Sequence, residues 1–157
     1  PAQKIKVTEW FHCDCLATYY RVPVFSESHW TIIENYLKTA VDNGINTILT
    51  PVFTPPLDTA VGGERPTVQL IDVEKTADGW IFGFDRFVRW VELCNRVGVA
   101  YFEISHLFTQ WGAGHAPKIM AKVDGVETKV FGCAGGEDPG AWDRGAVLLP
   151  HFGRTGL

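Results

Sequence analysis

The stretch that decides the fold is Gly44-Ile45-Asn46-Thr47-Ile48-Leu49-Thr50, in which a helix stop comes directly before an apolar run. The same order recurs at Gly98-Val99-Ala100-Tyr101-Phe102. Glycine is the commonest residue just past the end of a helix. Each copy therefore predicts a helix that ends and a buried strand that begins. This repetition indicates a parallel sheet with right-handed crossovers.

Amphipathic helices are predicted before each copy. Ser26 and Asp85 are the expected N-caps, and apolar residues recur at helical spacing after each of them. His29, near the start of the first helix, is expected to be solvated. The predicted strands are Lys4 to Leu16, Asn46 to Phe53 and Val99 to Phe108.

Two Asp-Gly pairs between alternating segments predict β-hairpins, one at Asp78-Gly79 and one at Asp124-Gly125. The first hairpin would be inserted between the second strand and the second helix. About three parallel strands, two helices and inserted hairpins predict an α/β fold, namely part of a (β/α)8 TIM barrel. A small doubly wound sheet is the alternative.

The composition excludes several classes of protein. The chain has 157 residues, a net charge of −4 and no basic cluster, so binding to nucleic acid is not expected. No apolar run reaches the length that spans a membrane. The sequence begins at Pro1 rather than Met, from which we expect an internal piece of a longer protein.

The cysteines at positions 13, 15, 94 and 133 lack the spacing of a zinc finger. Reduced and mostly buried thiols are expected, which favours a cytoplasmic location.

The segment Pro51 to Gln69, PVFTPPLDTAVGGERPTVQ, is a long loop with a constrained backbone. Its prolines exclude helix, and Gly62-Gly63 permits a turn or a close backbone approach. Asp58, Glu64 and Arg65 can bind a polar ligand. A loop of this kind is typical of a functional site, and a stiff connector is the alternative.

Polar residues are also expected near the end of the first strand. Alternation puts His12 and Asp14 on one face, where α/β folds place ligand-binding groups. A hydrogen-bonded His-Asp pair in the core is the structural alternative. A metal site built on His12, Cys13, Asp14 and Cys15 is a weaker alternative, because metal ligands usually converge from several segments.

Glu103 is the one carboxylate inside the apolar third strand. A buried acid needs a partner or a function, and a structural ion pair with Arg65 or Lys118 is one interpretation. Alternation puts His106 on the opposite face from Glu103. Trp111, in the following loop, would stack on a sugar or cover the barrel edge.

The last segment, residues 132–157, is rich in glycine and lacks helical or strand periodicity. One interpretation is a disordered or partner-bound tail. The other is an out-of-frame translation of GC-rich DNA. Both place the end of the folded domain at residue 131.

Three long segments resemble a known bacterial family. They are WFHCDCLATYY (10–20), ILTPVFTPPLDTAVGGERPTVQL (48–70) and YFEISHLFTQWGAGHAPKI (101–119). They resemble domain of unknown function 4091, a glycoside-hydrolase-like family that is similar to glycoside hydrolase family 123, the β-N-acetylgalactosaminidases. The resemblance runs from Trp10 to about Phe131-Gly132.

The resemblance implies that residues 1–131 are the N-terminal part of a (β/α)8 catalytic domain. It also implies a substrate-assisted mechanism, in which an Asp-Glu pair at the end of a later strand works with the 2-acetamido group of the substrate. This sequence has no Asp-Glu dipeptide, and its Glu137-Asp138 has the reverse order. Glu103 is then only a weak catalytic candidate, and the chain alone is expected to be inactive.

What the resemblance carries over is a sugar-binding wall without metal or cofactor. Its expected members are His12, Asp14, Asp58, Arg65, Glu103, His106, Trp111 and His115.

The implied function is that of a fragment of a glycoside hydrolase acting on N-acetylhexosamine-containing glycans. Its partners would be a carbohydrate and the missing remainder of the barrel. A non-catalytic carbohydrate-binding protein and an inactive truncated domain are the alternatives. A metal-dependent hydrolase built on His12, Asp14 and Glu103 is a weaker one.

Overall fold

The computed structural model describes residues 3–56, 64–106 and 117–132. Within these ranges the chain forms seven strands and three helices. They are β1 (Thr8–Glu9), α1 (Cys13–Tyr20), α2 (Glu27–Asp42), β2 (Thr47–Thr50), β3 (Asp72–Thr76), β4 (Gly79–Gly83), α3 (Asp85–Val97), β5 (Tyr101–Ile104), β6 (Ile119–Val123) and β7 (Val126–Phe131). In this described part, no helix combines the length and apolar character that would let it cross a membrane.

A parallel three-stranded sheet forms the centre of the fold, in the order β1-β2-β5. Helices α2 and α3 bury their apolar stripes against one face of it, with Leu37, Trp90 and Leu93 in the same core as Ile48 of β2. The predicted α/β class with parallel strands is therefore confirmed.

The two predicted amphipathic helices, α2 and α3, are present. The Ser26 side chain caps α2 by accepting a hydrogen bond from the His29 N–H at 3.3 Å. Gly98 ends α3 with φ of +99°, a left-handed conformation that glycine adopts without strain. Asp85 is not the N-cap of α3. It lies in the first turn, where its charge faces the free N–H groups of the helix end.

The prediction of one long first strand is wrong. Only Thr8 and Glu9 pair with β2, and the chain then turns into the helix α1. In α1 the buried residues are Cys13, Asp14 and Ala17, of which the neighbours Cys13 and Asp14 would point to opposite faces of a strand. His12 therefore sits at the N-cap and Asp14 in the first turn, rather than together on one face of a strand.

Both predicted hairpins are present and they join into a second sheet. The strand order is β4-β3-β6-β7, with β3 and β6 parallel. Asp124 and Gly125 both have positive φ, at 50° and 81°, as a type I′ turn requires. The pairing of the two hairpins with each other was not predicted.

The prediction that His29 is solvated is wrong. Its side chain is fully buried, and its Nδ1 accepts a hydrogen bond from the Phe25 N–H at 2.9 Å. A buried imidazole needs such partners, because an unpaired polar group in a core is costly. His29 is thus a structural residue that ties α2 to the segment before it.

Candidate functional site

A cluster of three side chains lies at the carboxyl end of the parallel sheet. The Trp10 Nε1–H, just past β1, donates to Glu103 Oε1 of β5 at 3.1 Å. The Trp10 ring also meets the His106 ring edge-on, with centroids 5.6 Å apart and planes at 87°. We call Trp10, Glu103 and His106 the Trp10 cluster. It joins residues from the two outer strands of the sheet.

The strand register shows which face of the sheet carries this cluster. Glu103 pairs with Leu49, while Glu9, the residue before Trp10, pairs with Ile48. Ile48 points into the core beneath α2 and α3. Since side chains alternate along a strand, Trp10 and Glu103 lie on the opposite face. The hydrogen bond between them therefore spans the central strand β2 on the face that the helices leave open.

Glu103 does not make the ion pair that was suggested from sequence. It is half-buried, and its partner is the neutral indole N–H of Trp10. Arg65 and Lys118 make their ion pairs with Asp14 and Glu64 instead. An indole donor satisfies one carboxylate oxygen without neutralising its charge. Glu103 therefore remains available as a charged hydrogen-bond acceptor for a ligand hydroxyl.

His106 was expected to point away from Glu103, and the structure changes this interpretation. Both side chains contact the same Trp10 ring. His106 Nδ1 is buried, and it has no hydrogen-bond partner within the described part of the chain. Among the described residues this nitrogen is therefore unsatisfied, and a functional role is one explanation for such a buried polar atom.

A second group of side chains lies at the start of α1, where Arg65 forms a bidentate ion pair with Asp14. The Arg65 Nε is 2.8 Å from Asp14 Oδ2, and its Nη2 is 3.1 Å from Oδ1. Both side chains are largely buried, with 14% and 5% of the side chain exposed. The same Nη2 lies 3.3 Å from the Cys15 sulfur. A bidentate pair of this kind fixes geometry, so it positions α1 against the segment that begins at Glu64.

Two lysines from the second sheet hold the same segment. The Lys118 Nζ donates to the Arg65 carbonyl oxygen at 2.5 Å, and the Lys129 Nζ is 2.6 Å from Glu64 Oε1. The hydrogen bond from Lys129, with the nearby charge of Lys118, lowers the pKa of Glu64. The segment after the constrained loop is thus tied both to α1 and to β6-β7.

The predicted wall residues divide into three sets. Glu103 and His106 come together on Trp10, and Asp14 and Arg65 come together at α1, with His12 half-buried at the helix N-cap. Asp58, Trp111 and His115 lie outside the described residues. In the described ranges, no group of three or more His, Cys, Asp or Glu side chains has the arrangement of a metal site.

Sequence analysis missed Trp10 as a site residue. The available signal was its position directly after the alternating segment that forms β1, at the strand end where α/β folds bind ligands. Trp10 remains 41% exposed, unlike a core tryptophan such as Trp90, which is fully buried.

Residues 10–142 match the family described as glycoside hydrolase 123, catalytic domain. This chain belongs to glycoside hydrolase family 123. The match starts at Trp10 and runs to residue 142, past the predicted end at Phe131-Gly132. The hypothesis of an out-of-frame tail remains a prediction, as does membership in domain of unknown function 4091.

A solved structure of a family 123 glycoside hydrolase from Clostridium perfringens, studied for glycolipid glycan hydrolysis, has the same fold. Its TM-score with this chain is 0.65 at 16% sequence identity. The match covers 94% of this family 123 chain but only 26% of the Clostridium protein. A search of curated protein sequences found no match.

Proposed function

We propose that this chain is part of a glycoside hydrolase that acts on N-acetylhexosamine-containing glycans, and that it contributes part of the sugar-binding wall. The observation that carries the proposal is the Trp10 cluster, in a chain of family 123. An exposed indole face stacks on a pyranose ring, and the adjacent Glu103 accepts hydrogen bonds from its hydroxyls. The stacking residue and the hydrogen-bonding residue both lie at the strand ends, where α/β folds bind ligands.

We also propose that the parallel sheet is part of a (β/α)8 barrel. Its strands are parallel and lie in the sheet in the order in which they occur in the chain, and among the described residues the helices α2 and α3 cover one face. On the other face, Trp10 and Glu103 come from alternate strands and meet across the strand between them. Layers built from alternate strands are typical of the interior of such a barrel. On this proposal the Trp10 cluster lies at the mouth of the barrel.

The remaining wall residues have roles that follow from their chemistry. We expect His12, Asp58 and His115 to bind sugar hydroxyls and Trp111 to stack. Asp14 and Arg65 use much of their hydrogen-bonding capacity on each other, so their role is to hold this edge of the site in place.

Catalysis in the parent protein would use the substrate-assisted mechanism, with an Asp-Glu pair that this sequence lacks. We therefore expect no hydrolysis of chromogenic N-acetylhexosaminides by this chain alone. The missing remainder of the barrel is its proposed partner. A cytoplasmic location remains part of the proposal, based on the unpaired cysteines at positions 13, 15 and 94.

The second candidate is a non-catalytic carbohydrate-binding protein or an inactive truncated domain, since a fold does not determine a function. A reading frame that continues into an Asp-Glu pair at a strand end would favour the hydrolase. A frame that stops at residue 157 would favour the second candidate.

The test of the sugar-binding wall is a titration of the full chain with methyl N-acetyl-β-galactosaminide. The indole N–H signals report binding by NMR. We expect the Trp10 signal to shift, and Trp10→Phe and Glu103→Leu each to weaken binding about tenfold, in line with lost stacking and a lost charged hydrogen bond.

Trp80→Phe is the matched control, because Trp80 packs on Phe131 in the second sheet, away from the cluster. Its affinity should match that of the unmodified chain. Equal affinity in Trp10→Phe, Glu103→Leu and the control would contradict the proposal.

A further inference from the structure

An aromatic patch outside the Trp10 cluster is formed by Tyr19, Tyr20 and Tyr36. Their exposed fractions are 78%, 44% and 42%. Tyr19 and Tyr20 end α1, and Tyr36 lies on α2. Single exposed apolar residues need no explanation, whereas adjacent exposed rings form an apolar patch of the kind found at interaction sites. We call these three residues the tyrosine patch.

The rings of the patch form a corner rather than a flat stack. Tyr20 is in the middle, with its ring centroid 5.0 Å from that of Tyr19 and 6.3 Å from that of Tyr36. The interplanar angles are 82° and 76°. With most of its surface in solvent, Tyr19 presents a ring against which a flat apolar face can pack.

The hydroxyl groups give this corner a polar side. The Tyr20 and Tyr36 oxygens are 3.0 Å apart, so one hydroxyl donates to the other. A pair of phenols has two O–H protons and uses only one of them in this bond. The second proton, with the remaining lone pairs, is directed to solvent or to a ligand. An apolar face beside a donor and acceptors matches the chemistry of a pyranose, which has C–H faces and hydroxyl edges.

The backbone that carries the patch is fixed before any ligand binds. Arg21 ends α1 in the left-handed conformation, with φ of 55°. The Val22 N–H closes the helix end by donating to the Ala17 carbonyl at 3.1 Å. A preorganised surface loses little conformational entropy on binding, which favours a ligand-binding role.

The charges nearest to the patch in sequence are Arg21, which directly follows Tyr20, and Glu34 and Lys38, which form an ion pair with each other on α2. The residues one helical turn from Tyr36 on α2 are uncharged: Ile32, Ile33, Thr39 and Ala40. Along α1, Tyr19 is five residues from Asp14, a distance of about 7.5 Å along the helix axis. Five residues also rotate the side-chain direction by about 140° beyond one full turn, so the exposed Tyr19 and the buried Asp14 lie on different faces of α1.

From these observations we propose that the tyrosine patch is an outer sugar-binding subsite, where a neutral pyranose of an extended glycan stacks on Tyr19 and bonds to the Tyr20–Tyr36 hydroxyl pair. The inference rests on the proposed function, since it places a distal sugar of the same glycan on the patch. It predicts that oligosaccharides bind this protein more tightly than monosaccharides do.

The test is NMR of the full chain with ¹³C-labelled tyrosine rings, of which the sequence has four. The probes are methyl N-acetyl-β-galactosaminide and a β-linked tetrasaccharide that contains N-acetylhexosamine. We expect the tetrasaccharide to shift Tyr19, Tyr20 and Tyr36. Tyr101, which lies at the start of β5, is the internal control and should not shift.

Tyr19→Ala should weaken tetrasaccharide binding about fivefold and leave monosaccharide affinity unchanged, whereas Tyr101→Ala should change neither. The inference would be overturned if the tetrasaccharide shifts the Trp10 signal to saturation while the signals of the three patch tyrosines do not change. The proposed function would remain supported by that result. If the patch signals shift but the Trp10 signal does not, the proposed function is overturned, and with it the assignment of the patch as an outer subsite of the same glycan. If the tyrosine signals of the patch shift with protein concentration in the absence of sugar, the patch binds a second copy of this chain. That result would overturn the inference.

Discussion

The imidazole of His29 connects α2 to α1 through the backbone of Cys13. Its Nε2 lies 2.8 Å from the Cys13 carbonyl oxygen, and the ring is fully buried. Because Nδ1 accepts the Phe25 N–H, the proton of the neutral ring is on Nε2, which donates to Cys13. A charged ring would have no acceptor nitrogen left for Phe25. The fold therefore requires His29 to be neutral.

This requirement predicts that stability falls in mild acid. Burial lowers the pKa of His29 below its ordinary value of 6.5, and this outweighs the opposing hydrogen bond to Cys13 and the charge of Asp14. Below about pH 6.5 the unfolded chain binds a proton that the folded chain does not. The free energy of unfolding should therefore decrease as the pH falls from 6.5 towards the lowered pKa.

Urea unfolding between pH 8 and pH 5 measures this effect. His29→Gln should be less stable at pH 8, because a buried contact is lost, but its stability should depend less on pH over this interval. The same pH slope in the variant and the unmodified chain would show that another group is responsible.

The Asp14–Arg65 pair should be strongly coupled. Arg65→Met leaves a largely buried carboxylate without its cation, and we expect it to cost about 3–5 kcal/mol of stability. Asp14→Leu with Arg65→Met should cost much less than the sum of the single changes. A double-mutant cycle by urea unfolding measures the coupling, and additive costs would refute it.

Lys129→Met is the comparison for this cycle. It removes an ion pair with Glu64 that is much more exposed, and it should have a far smaller effect.

Gly132 should tolerate no side chain. Its φ is +98°, and a Cβ there would lie 2.7 Å from the Lys118 Cα and 2.9 Å from the Lys118 nitrogen. Gly125 also has positive φ, at +81°, but open space around it. Gly125→Ala should cost roughly 1–2 kcal/mol for the left-handed conformation alone, and Gly132→Ala clearly more. Thermal unfolding measures both, and equal costs would mean that the close approach to Lys118 is not rigid.

The thiols should differ in reactivity. Burial, followed by the charge of Asp14, raises the pKa of Cys13, and burial raises the pKa of Cys94 to about 12. Cys15 is exposed. With iodoacetamide at pH 8, peptide mass spectrometry should find Cys15 alkylated and the other two intact, because the thiolate is the reactive form.

The same reaction in denaturant is the control, in which Cys13, Cys15 and Cys94 should all be modified. Alkylation of Cys13 in the native chain would contradict the burial described for α1.

The elements that could be predicted from sequence are those that local chemistry determines. The turn at Asp124-Gly125 needs positive φ, and these two residue types supply it without help from the rest of the chain. The α2 and α3 helices likewise carry their own caps and apolar stripes. Their prediction needed only the periodicity of one segment.

The start of the chain could not be predicted in this way. The choice between strand and helix after Glu9 depends on what the segment meets in the fold. Asp14 is buried in α1 because Arg65, 51 residues away, neutralises it there. An ion pair with Arg65 or Lys118 was one interpretation for Glu103, but its partner is Trp10, at a separation of 93 residues. No local pattern in the sequence contains either pairing.

The long separation between Trp10 and Glu103 also bears on when the candidate site can form. Contacts between residues far apart in sequence require the closure of long loops, which makes them slow to form during folding. The two residues meet only after β1 and β5 have both paired with β2. A sugar that binds there would recognise only chains with an assembled sheet and, by mass action, would protect that assembly from unfolding.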